Sequence, residues 1–162
     1  MTAGHALTVT AADRAAHLEA ARAAGAGGIG LRGGGRDYCR ALSDVTDGWV
    51  RQLFAQAVEA NPELKGRLAI LAVGGYGRGE LAPQSDLDVL LVHDVKGKKA
   101  MAAIEPIASA LWYPMWDAGI KLGHAVRSVK EAMTLAADDL DSATALLTAR
   151  WLAGDESLAS EV

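Results

Sequence analysis

Residues 74–88 read Gly-Gly-Tyr-Gly-Arg-Gly-Glu-Leu-Ala-Pro-Gln-Ser-Asp-Leu-Asp, a glycine-rich turn followed by two aspartates one residue apart. Apolar runs flank this stretch at residues 68–73 and 89–92, and both are typical of buried strands. Bare backbone amides beside paired acids suit a polyphosphate held with divalent metal ions. The stretch therefore predicts an α/β domain with a phosphate site between two strands.

The two aspartates are the strongest candidates for chemistry. Asp86 and Asp88 are expected to project to the same side of a strand, because residues i and i+2 share a face, while Leu87 points into the core. Two neighbouring carboxylates raise each other's pKa unless a cation lies between them. Mg²⁺ or Mn²⁺ prefers oxygen ligands and bridges the phosphates of a nucleotide in an in-line displacement. We therefore predict that Asp86 and Asp88 are metal ligands and catalytic residues.

The glycines of the turn predict a cradle for phosphate. Gly74, Gly75 and Gly77 carry no side chain, so phosphate oxygens can approach their backbone N–H groups closely. A helix near residues 76–81 would add further N–H donors and a favourable dipole. We therefore predict that Gly74 and Gly75 bind the phosphates of a nucleotide, and that the chemistry is nucleotidyl transfer.

Three polar side chains of the same stretch are further candidates. Arg78 could pair with a phosphate, and Ser85 could donate its hydroxyl to one. Arg78 and Glu80 could instead form an ion pair that braces the loop. A solvated hairpin, with Ser-Asp as a turn former, is the alternative interpretation of the whole stretch. The combination of glycines, paired aspartates and a strand on each side favours the nucleotide site.

The composition narrows the class of protein. The chain has 162 residues, enough for one domain, and its formal net charge of −4 argues against a broad surface for nucleic acid or anionic membrane. Its single cysteine, Cys39, excludes an intrachain disulfide framework, fits a reducing compartment and is predicted to be structural. No signal peptide is evident, and no apolar run approaches the ~20 residues that cross a bilayer. We expect a cytoplasmic protein.

The length predicts one domain, and residues 1–35 are predicted to be an N-terminal segment that holds a helix and a glycine-rich connector. Residues 25–35 are glycine-dense and favour a flexible connector over a phosphate loop, because no Gly-Lys-Ser/Thr ending follows. The predicted elements are helices at residues 11–24 and 43–60, and a helix within residues 98–117 whose ends Pro106 and Pro114 leave open. A third strand is predicted at residues 119–126. Two helices are predicted between residues 128 and 158, the first with Ser128 and Glu131 as a capping box.

The connection between residues 92 and 119 contains a helix and is long enough for a crossover between parallel strands. The predicted architecture is α/β (α+β), with a short mixed sheet of at least three strands and helices mainly on one face.

At residues 74–88 the chain resembles the polymerase-β-like nucleotidyltransferase superfamily, whose signature is Gly-Gly or Gly-Ser followed by Asp-x-Asp. Within it, the chain looks most like the bifunctional uridylyltransferase/uridylyl-removing enzymes that modify the nitrogen-regulatory PII protein. Residues 111–119, Leu-Trp-Tyr-Pro-Met-Trp-Asp-Ala-Gly, and residues 122–127, Leu-Gly-His-Ala-Val-Arg, support the narrower match. The resemblance covers residues 36–158, which it implies are the nucleotidyltransferase domain, and leaves residues 159–162 as a tail. It implies UTP as donor, a PII tyrosine as acceptor, release of pyrophosphate, and Mg²⁺ or Mn²⁺ as cofactor.

The resemblance adds residues with more than one interpretation. His124 could be a catalytic base or a hydrogen-bonded structural histidine, and Arg127 has the same two interpretations. Lys121 could face a phosphate or solvent. Members of the superfamily usually supply a third carboxylate from a later strand. Residues 119–127 contain no acid, and Thr148 stands where such relatives tend to carry Asp or Glu.

The enzymes that the chain resembles are much longer, with a metal-dependent phosphohydrolase domain and regulatory domains after the transferase. His93-Asp94 is not a hydrolase signature, because such sites need several ligands spread over helices. The chain is therefore interpreted as a truncated fragment or as a single-domain relative, without uridylyl removal or glutamine sensing. A non-catalytic nucleotide-binding or interaction module is a second hypothesis. A third keeps the superfamily with another acceptor or another base.

Overall fold

The computed structural model of the chain describes residues 34–82 and 85–162. The helix predicted at residues 11–24 and most of the connector predicted at residues 25–35 lie outside this part. The described elements are helix α1 (Gly34–Glu59), a 3₁₀ turn (Pro62–Leu64), strand β1 (Leu68–Ala72), helix α2 (Gly74–Gly77), strand β2 (Leu87–His93), helix α3 (Lys98–Asp117), strand β3 (Leu122–Ser128), helix α4 (Val129–Asp138), helix α5 (Leu140–Leu146), strand β4 (Arg150–Gly154) and helix α6 (Glu156–Ser160).

The four strands form one mixed sheet in the order β3-β2-β1-β4. Strand β1 pairs antiparallel with both β2 and β4, whereas β2 and β3 run parallel. Helix α3 supplies the crossover between the parallel strands, as the sequence predicts. The pairing places Asp88 of β2 opposite Gly123 of β3. The glycine turn follows the end of β1, beside the start of β2, so the two predicted halves of the site meet at one end of the sheet.

Successive side chains of each strand project to opposite faces of the sheet, and both faces carry apolar side chains. Ile70 and Leu91 are fully buried in the main core, which they form with Trp49 of α1 and Leu111 of α3. Leu71 of β1 belongs to a smaller core on the other face, together with these residues of β2 and α6: Leu90, Val92 and Leu158. Among the described residues, the two long helices cover one face and only short helices lie on the other, so the predicted fold class is confirmed.

No helix within residues 34–82 or 85–162 is both long and apolar enough to cross a membrane.

Helix α1 is longer than predicted, because it begins at Gly34 and not at Ser43. Leu42 is buried, and Tyr38, one helical turn earlier, packs against the main core. The two glycines at residues 34 and 35, assigned to the connector by composition, therefore belong to the first turn of a helix. Tertiary packing of the apolar side chains outweighs the low helix propensity of glycine.

The prediction of helices alone between residues 128 and 158 is wrong at residues 150–154, because these residues form β4. Leu152 is buried against the sheet, while Trp151 beside it is 41% exposed, which is the alternation of a strand. The run of alanine and leucine before it favours helix in isolation. These residues instead form a strand because they pair with the edge of β1 that is not paired with β2.

Strand β3 begins at Leu122, after Gly119 ends α3 with a φ of 73°. Helix α3 occupies all of the range within which the sequence predicts it, and its two internal prolines, which left its ends open, do not interrupt it. The predicted capping box of α4 is confirmed: the Ser128 hydroxyl accepts from the Glu131 N–H and the Glu131 carboxylate accepts from the Ser128 N–H. At the other end of the chain, Ala159 and Val162 pack against the smaller core.

Candidate functional site

The glycine turn is a single helical turn and no more. Val73 is extended, and the Gly77 N–H donates to the Val73 carbonyl at 3.0 Å. The N–H groups of Gly74 and Gly75 precede the first intrahelical bonds, so they have no acceptor within the turn. The helix predicted near residues 76–81 is thus earlier and shorter than expected. Its dipole is correspondingly small, and any stabilisation of an anion comes from the individual amides.

Asp88 extends its carboxylate into the space between this turn and β3. A Cβ on Gly74, whose φ is 59°, would lie 3.1 Å from Asp88 Oδ2. A Cβ on Gly123 would lie 2.0 Å from Asp88 Oδ1, closer than any real contact. A side chain at Gly123 would therefore displace the carboxylate, whereas one at Gly74 would only press against it.

The electrostatics of Asp88 match a cation site. Partial burial raises the pKa of Asp88 above its usual value, and the nearby charge of Asp86 raises it further. Asp86 is exposed and immediately precedes β2. The structure thus brings the two predicted carboxylates close enough to repel each other. A cation between them would remove this repulsion.

The loop after the turn is braced by its own polar side chains. Arg78 Nε donates to Glu80 Oε2 at 3.0 Å, and Arg36 pairs with the other Glu80 oxygen at 3.5 Å. Arg78 nevertheless remains beside the turn, because its Nη2 would lie 3.7 Å from a Cβ on Gly75. The Ser85 hydroxyl donates to the Ala82 carbonyl at 2.9 Å. Of the two interpretations offered for Arg78 and Glu80, the structure contains the ion pair.

The residues predicted on β3 divide between the faces of the sheet. The His124 ring lies 5.3 Å from the rings of both Trp112 and Trp116 of α3, whereas Asp88 contacts Gly123, which points to the opposite face. The structure therefore does not bring the His124 imidazole to the aspartates. Arg127 lines the same cavity as Asp88 but is exposed. The Lys121 side chain is exposed just before β3.

Within the described residues, no group of three or more His, Cys, Asp or Glu side chains is placed to hold a metal ion. Asp86 and Asp88 are accordingly two carboxylates without a third. His93, at the end of β2, is buried, and Asp94 pairs with Arg67 at 2.9 Å. This agrees with the interpretation that His93-Asp94 closes a strand.

The sequence profile of the DUF294 nucleotidyltransferase family matches residues 34–134, more than half of the chain. The chain belongs to the DUF294 nucleotidyltransferase family. The matched region contains the glycine turn, both aspartates and β3, which are the parts that form the site.

Proteins named bifunctional uridylyltransferase/uridylyl-removing enzyme are similar to this DUF294 member. The Streptomyces coelicolor protein is 49% identical over 123 residues, which are 76% of this chain and 14% of that protein. A Mycobacterium tuberculosis protein is 49% identical over 115 residues, or 71% of this chain and 14% of its own length. The Phenylobacterium zucineum protein is 42% identical over 134 residues, or 80% and 14%. The chain spans about 14% of the length of these curated relatives.

Sequence reasoning missed the pair that holds the turn of this DUF294 domain in place. The Arg150 guanidinium, on β4, donates to both carboxylate oxygens of Asp47 on α1, one of them at 3.0 Å. The same guanidinium donates to the carbonyls of Tyr76 and Gly77, each at 3.2 Å, and lies 5.5 Å from the centre of the Tyr76 ring. The hydrogen bond to Asp47 is the main reason that the pKa of Arg150 is raised.

A signal for this pair exists in the sequence. Asp47 is buried, on the same helical face as Ser43, Val50 and Phe54. A carboxylate on an apolar helical face is almost never buried without a partner. The position of Asp47 therefore predicts a cationic partner. It does not identify which residue that is, since Arg51 also pairs with Asp47 at 3.4 Å.

Thr148 also contacts the turn. Its hydroxyl lies 3.3 Å from the Gly74 carbonyl and 3.2 Å from the Ala145 carbonyl. The position at which the resemblance implies an acid is therefore adjacent to the glycine turn, although it precedes β4 and does not lie on β3.

Proposed function

We propose that the chain is a metal-dependent nucleotidyltransferase that transfers UMP from UTP to a tyrosine of the PII protein, with release of pyrophosphate. The observation that carries the proposal is the placement of the Asp88 carboxylate between the glycine turn and Gly123, beside the charge of Asp86. Membership of the DUF294 nucleotidyltransferase family supports the reaction class. The names of the similar, longer proteins support uridylyl transfer.

The residues present fit a divalent cation. Burial and mutual repulsion penalise the two negative charges of Asp86 and Asp88, and a cation offsets that penalty. Mg²⁺ is commonly held by one or two carboxylates together with substrate phosphates and water, so a third acid is not required for binding. When bound, the ion would stabilise the charge that develops on the phosphate oxygens.

The chain's own residues position the donor. The N–H groups of Gly74 and Gly75 bind the β- and γ-phosphates, and Arg78 lies within reach of the same oxygens. The tyrosine oxygen of the acceptor forms a bond to the α-phosphorus, the bond between that phosphorus and the pyrophosphate oxygen breaks, and the phenolic proton is released. Most of the catalysis in such a transfer comes from placement and charge stabilisation.

A non-catalytic nucleotide-binding module is the second candidate. The presence of Thr148 beside the turn favours it, together with the two-carboxylate arrangement. The short match also favours a fragment of a longer bifunctional enzyme, since the chain spans about 14% of the relatives' length. A third candidate keeps the transfer but changes the base or the acceptor, and competition among the four nucleotides for one site distinguishes it.

The test combines transfer with binding. The chain is incubated with Mg²⁺, UTP labelled at the α-phosphate and a PII protein, and the wild type is compared with Asp86→Asn and Asp88→Asn. Label on PII that either substitution abolishes supports transfer. Mg²⁺-UTP binding that requires Asp88, without label on PII, supports the non-catalytic module. Nucleotide binding that neither substitution changes would overturn both.

A further inference from the structure

Strand β3 is an open edge of the sheet. In the described part of the chain it pairs with β2 alone. The Leu87 N–H of β2 donates to the Lys121 carbonyl at 2.8 Å, and Leu87 lies opposite Leu122. Alternate residues of β3, namely Leu122, His124 and Val126, therefore direct their backbone groups away from β2. Such a row of backbone donors and acceptors is a template for a further strand.

Two observations agree with this direction. The Val126 carbonyl accepts from the Arg127 guanidinium at 2.9 Å and so faces away from β2. None of the seven residues of β3 is buried, whereas all five residues of β1 and all but one of β2 are buried. The outer side of β3 is thus accessible within the part of the chain that the structure describes.

The Asp88 carboxylate lies one strand in from this edge. Gly123 is the residue of β3 opposite Asp88, so no side chain stands between the carboxylate and the open edge at this point. Neighbouring strands lie ~4.8 Å apart, and residues paired across them project to the same face. A side chain that an added strand placed opposite Gly123 would therefore extend over this glycine towards Asp88.

An exposed aromatic surface lies along the same edge, on the other face of the sheet. It consists of Tyr113 and Trp116 of α3 together with His124. Trp116 is 43% exposed and Tyr113 is 60% exposed. The centre of the Trp116 ring lies 5.6 Å from that of Tyr113 and 5.3 Å from that of His124. Exposed aromatic side chains are enriched among the residues that anchor protein–protein interfaces.

The charges at the edge favour an acidic partner. Lys121 precedes β3 and Arg127 lies near its end, and both side chains are exposed. The chain as a whole has a formal net charge of −4, so these two cations are a local exception. Complementary charge accelerates association and favours one partner over others.

We propose that an extended, acidic segment of the acceptor protein adds to β3 as a further strand, with its tyrosine opposite Gly123. The inference rests on the proposed function, which supplies the tyrosine acceptor. Because successive side chains of a strand face opposite sides, a tyrosine directed at Asp88 places its neighbours in sequence against Tyr113 and Trp116. The segment is therefore expected to carry an apolar residue next to the tyrosine. Backbone hydrogen bonds to β3 would supply affinity, and the aromatic surface would supply selectivity.

The opposite edge of the sheet does not offer the same arrangement. Strand β4 pairs with β1, so two strands separate it from Asp88. The Leu152 carbonyl of β4 already accepts from Arg51 Nε at 2.9 Å. Strand β4 therefore serves as the reference edge in the test below.

The first measurement is the transfer of labelled UMP to a PII protein whose concentration is varied, at saturating Mg²⁺-UTP. Trp116→Ala is expected to raise KM for PII about tenfold or more and to leave the calorimetric affinity for Mg²⁺-UTP unchanged. Tyr113→Ala is expected to raise KM several-fold, and it keeps the test decisive if Trp116→Ala does not fold. Met101→Ala is the matched control, because Met101 is 44% exposed near the other end of α3, and it should change neither quantity.

Hydrogen exchange measures the backbone pairing directly. PII is expected to slow exchange of the amides at residues 122–126 and to leave those at residues 150–154 unchanged. Transfer with an unaltered KM in the folded variants, or without slower exchange in β3, would overturn the inference and leave the proposed function standing. A dimer that Trp116→Ala dissociates would also overturn it, because the edge would then pair with a second copy of the chain. If the wild type transfers no label to PII, the proposed function fails and the inference fails with it.

Discussion

The Asp88 carboxylate contacts the backbone of Gly123 so closely that a Cβ on this glycine would stand 2.0 Å from Oδ1. The contact follows from the register, which pairs Asp88 with Gly123 across the two parallel strands. Neither partner can change without moving the other. The proposed metal ligand is thus positioned by the absence of a side chain on the neighbouring strand.

Gly123→Ala should displace the Asp88 carboxylate. Because overpacking at a tight contact is destabilising, the free energy of unfolding should fall by about 1–3 kcal/mol. We also expect Mg²⁺-UTP affinity to fall about tenfold or more. Thermal unfolding and calorimetry measure the two effects. Gly48→Ala is the matched control, because nothing lies within 4 Å of its Cβ position in helix α1, and it should add about 0.5–1 kcal/mol to stability. Unchanged affinity in Gly123→Ala would contradict the assignment of Asp88.

Asp88→Asn should make the metal-free chain more stable at neutral pH. The pKa of Asp88 is raised by burial and by Asp86, so its charge opposes folding above that pKa and the cost disappears as acid neutralises the group. The difference in the free energy of unfolding between the wild type and the variant should therefore become smaller as the pH falls towards about 4. Mg²⁺ should raise the melting temperature of the wild type and not that of the variant.

Glu63→Gln, an exposed acid on the 3₁₀ turn before β1, is the control and should respond to Mg²⁺ as the wild type does. An equal Mg²⁺ response in Asp88→Asn would show that the ion binds elsewhere.

Arg150→Lys should loosen the glycine turn. A lysine ammonium cannot reproduce the planar fork that joins Asp47 to the Tyr76 and Gly77 carbonyls. Since the Arg150 side chain is one-third exposed, we expect a stability loss of only about 1–3 kcal/mol, together with weaker Mg²⁺-UTP binding. Chemical denaturation and calorimetry on the same preparation measure both.

Arg51→Lys supplies the comparison, because Arg51 also pairs with Asp47 but donates its Nε to the Leu152 carbonyl and not to the turn. It should lose stability and keep nucleotide affinity. The role of Arg150 in positioning the turn would be refuted if the two variants lost affinity equally.

His93 should make the chain less stable in mild acid. The ring is buried, its Nδ1 accepts from the Val95 N–H at 3.2 Å, and its Nε2 has no hydrogen-bond partner among the described residues. Burial lowers the pKa of His93, so the unfolded chain takes up a proton before the folded chain does. Stability is then complete above about pH 6.5 and falls as the pH drops below it.

His93→Asn keeps an acceptor near the Nδ1 position and does not titrate. The free energy of unfolding should therefore decrease less steeply below about pH 6.5 in this variant than in the wild type. Urea unfolding at several pH values measures the slope. If the free energy of unfolding depends on pH equally in His93→Asn and in the wild type, another group must be responsible for the loss of stability.

Local signals in the sequence predict much of this fold. The place of α3 in the chain, the capping box at Ser128 and the parallel crossover follow from periodicity, capping chemistry and connection length. Each of these depends on residues close together in the chain. Asp86 and Asp88 are likewise recognisable because their spacing and their flanking strands lie within one short stretch.

The features that sequence reasoning missed depend on distant partners. Residues 150–154 form a strand only because β1 offers an open side, and the local composition favours helix. The orientation of His124 depends on a register in which Gly123, and not its neighbour, faces Asp88. Asp47 and Arg150 are 103 positions apart, so the sequence shows that Asp47 requires a cationic partner but does not identify Arg150 as that partner.

The dependence of the turn on Arg150 has a consequence for biosynthesis. The carbonyls at residues 76 and 77 receive their guanidinium from a residue translated more than seventy codons later. A nascent chain still emerging from the ribosome therefore displays the glycine turn, the proposed phosphate site, without the Arg150 contacts that hold it. Nucleotide capture should begin only after β4 has left the exit tunnel and joined the sheet.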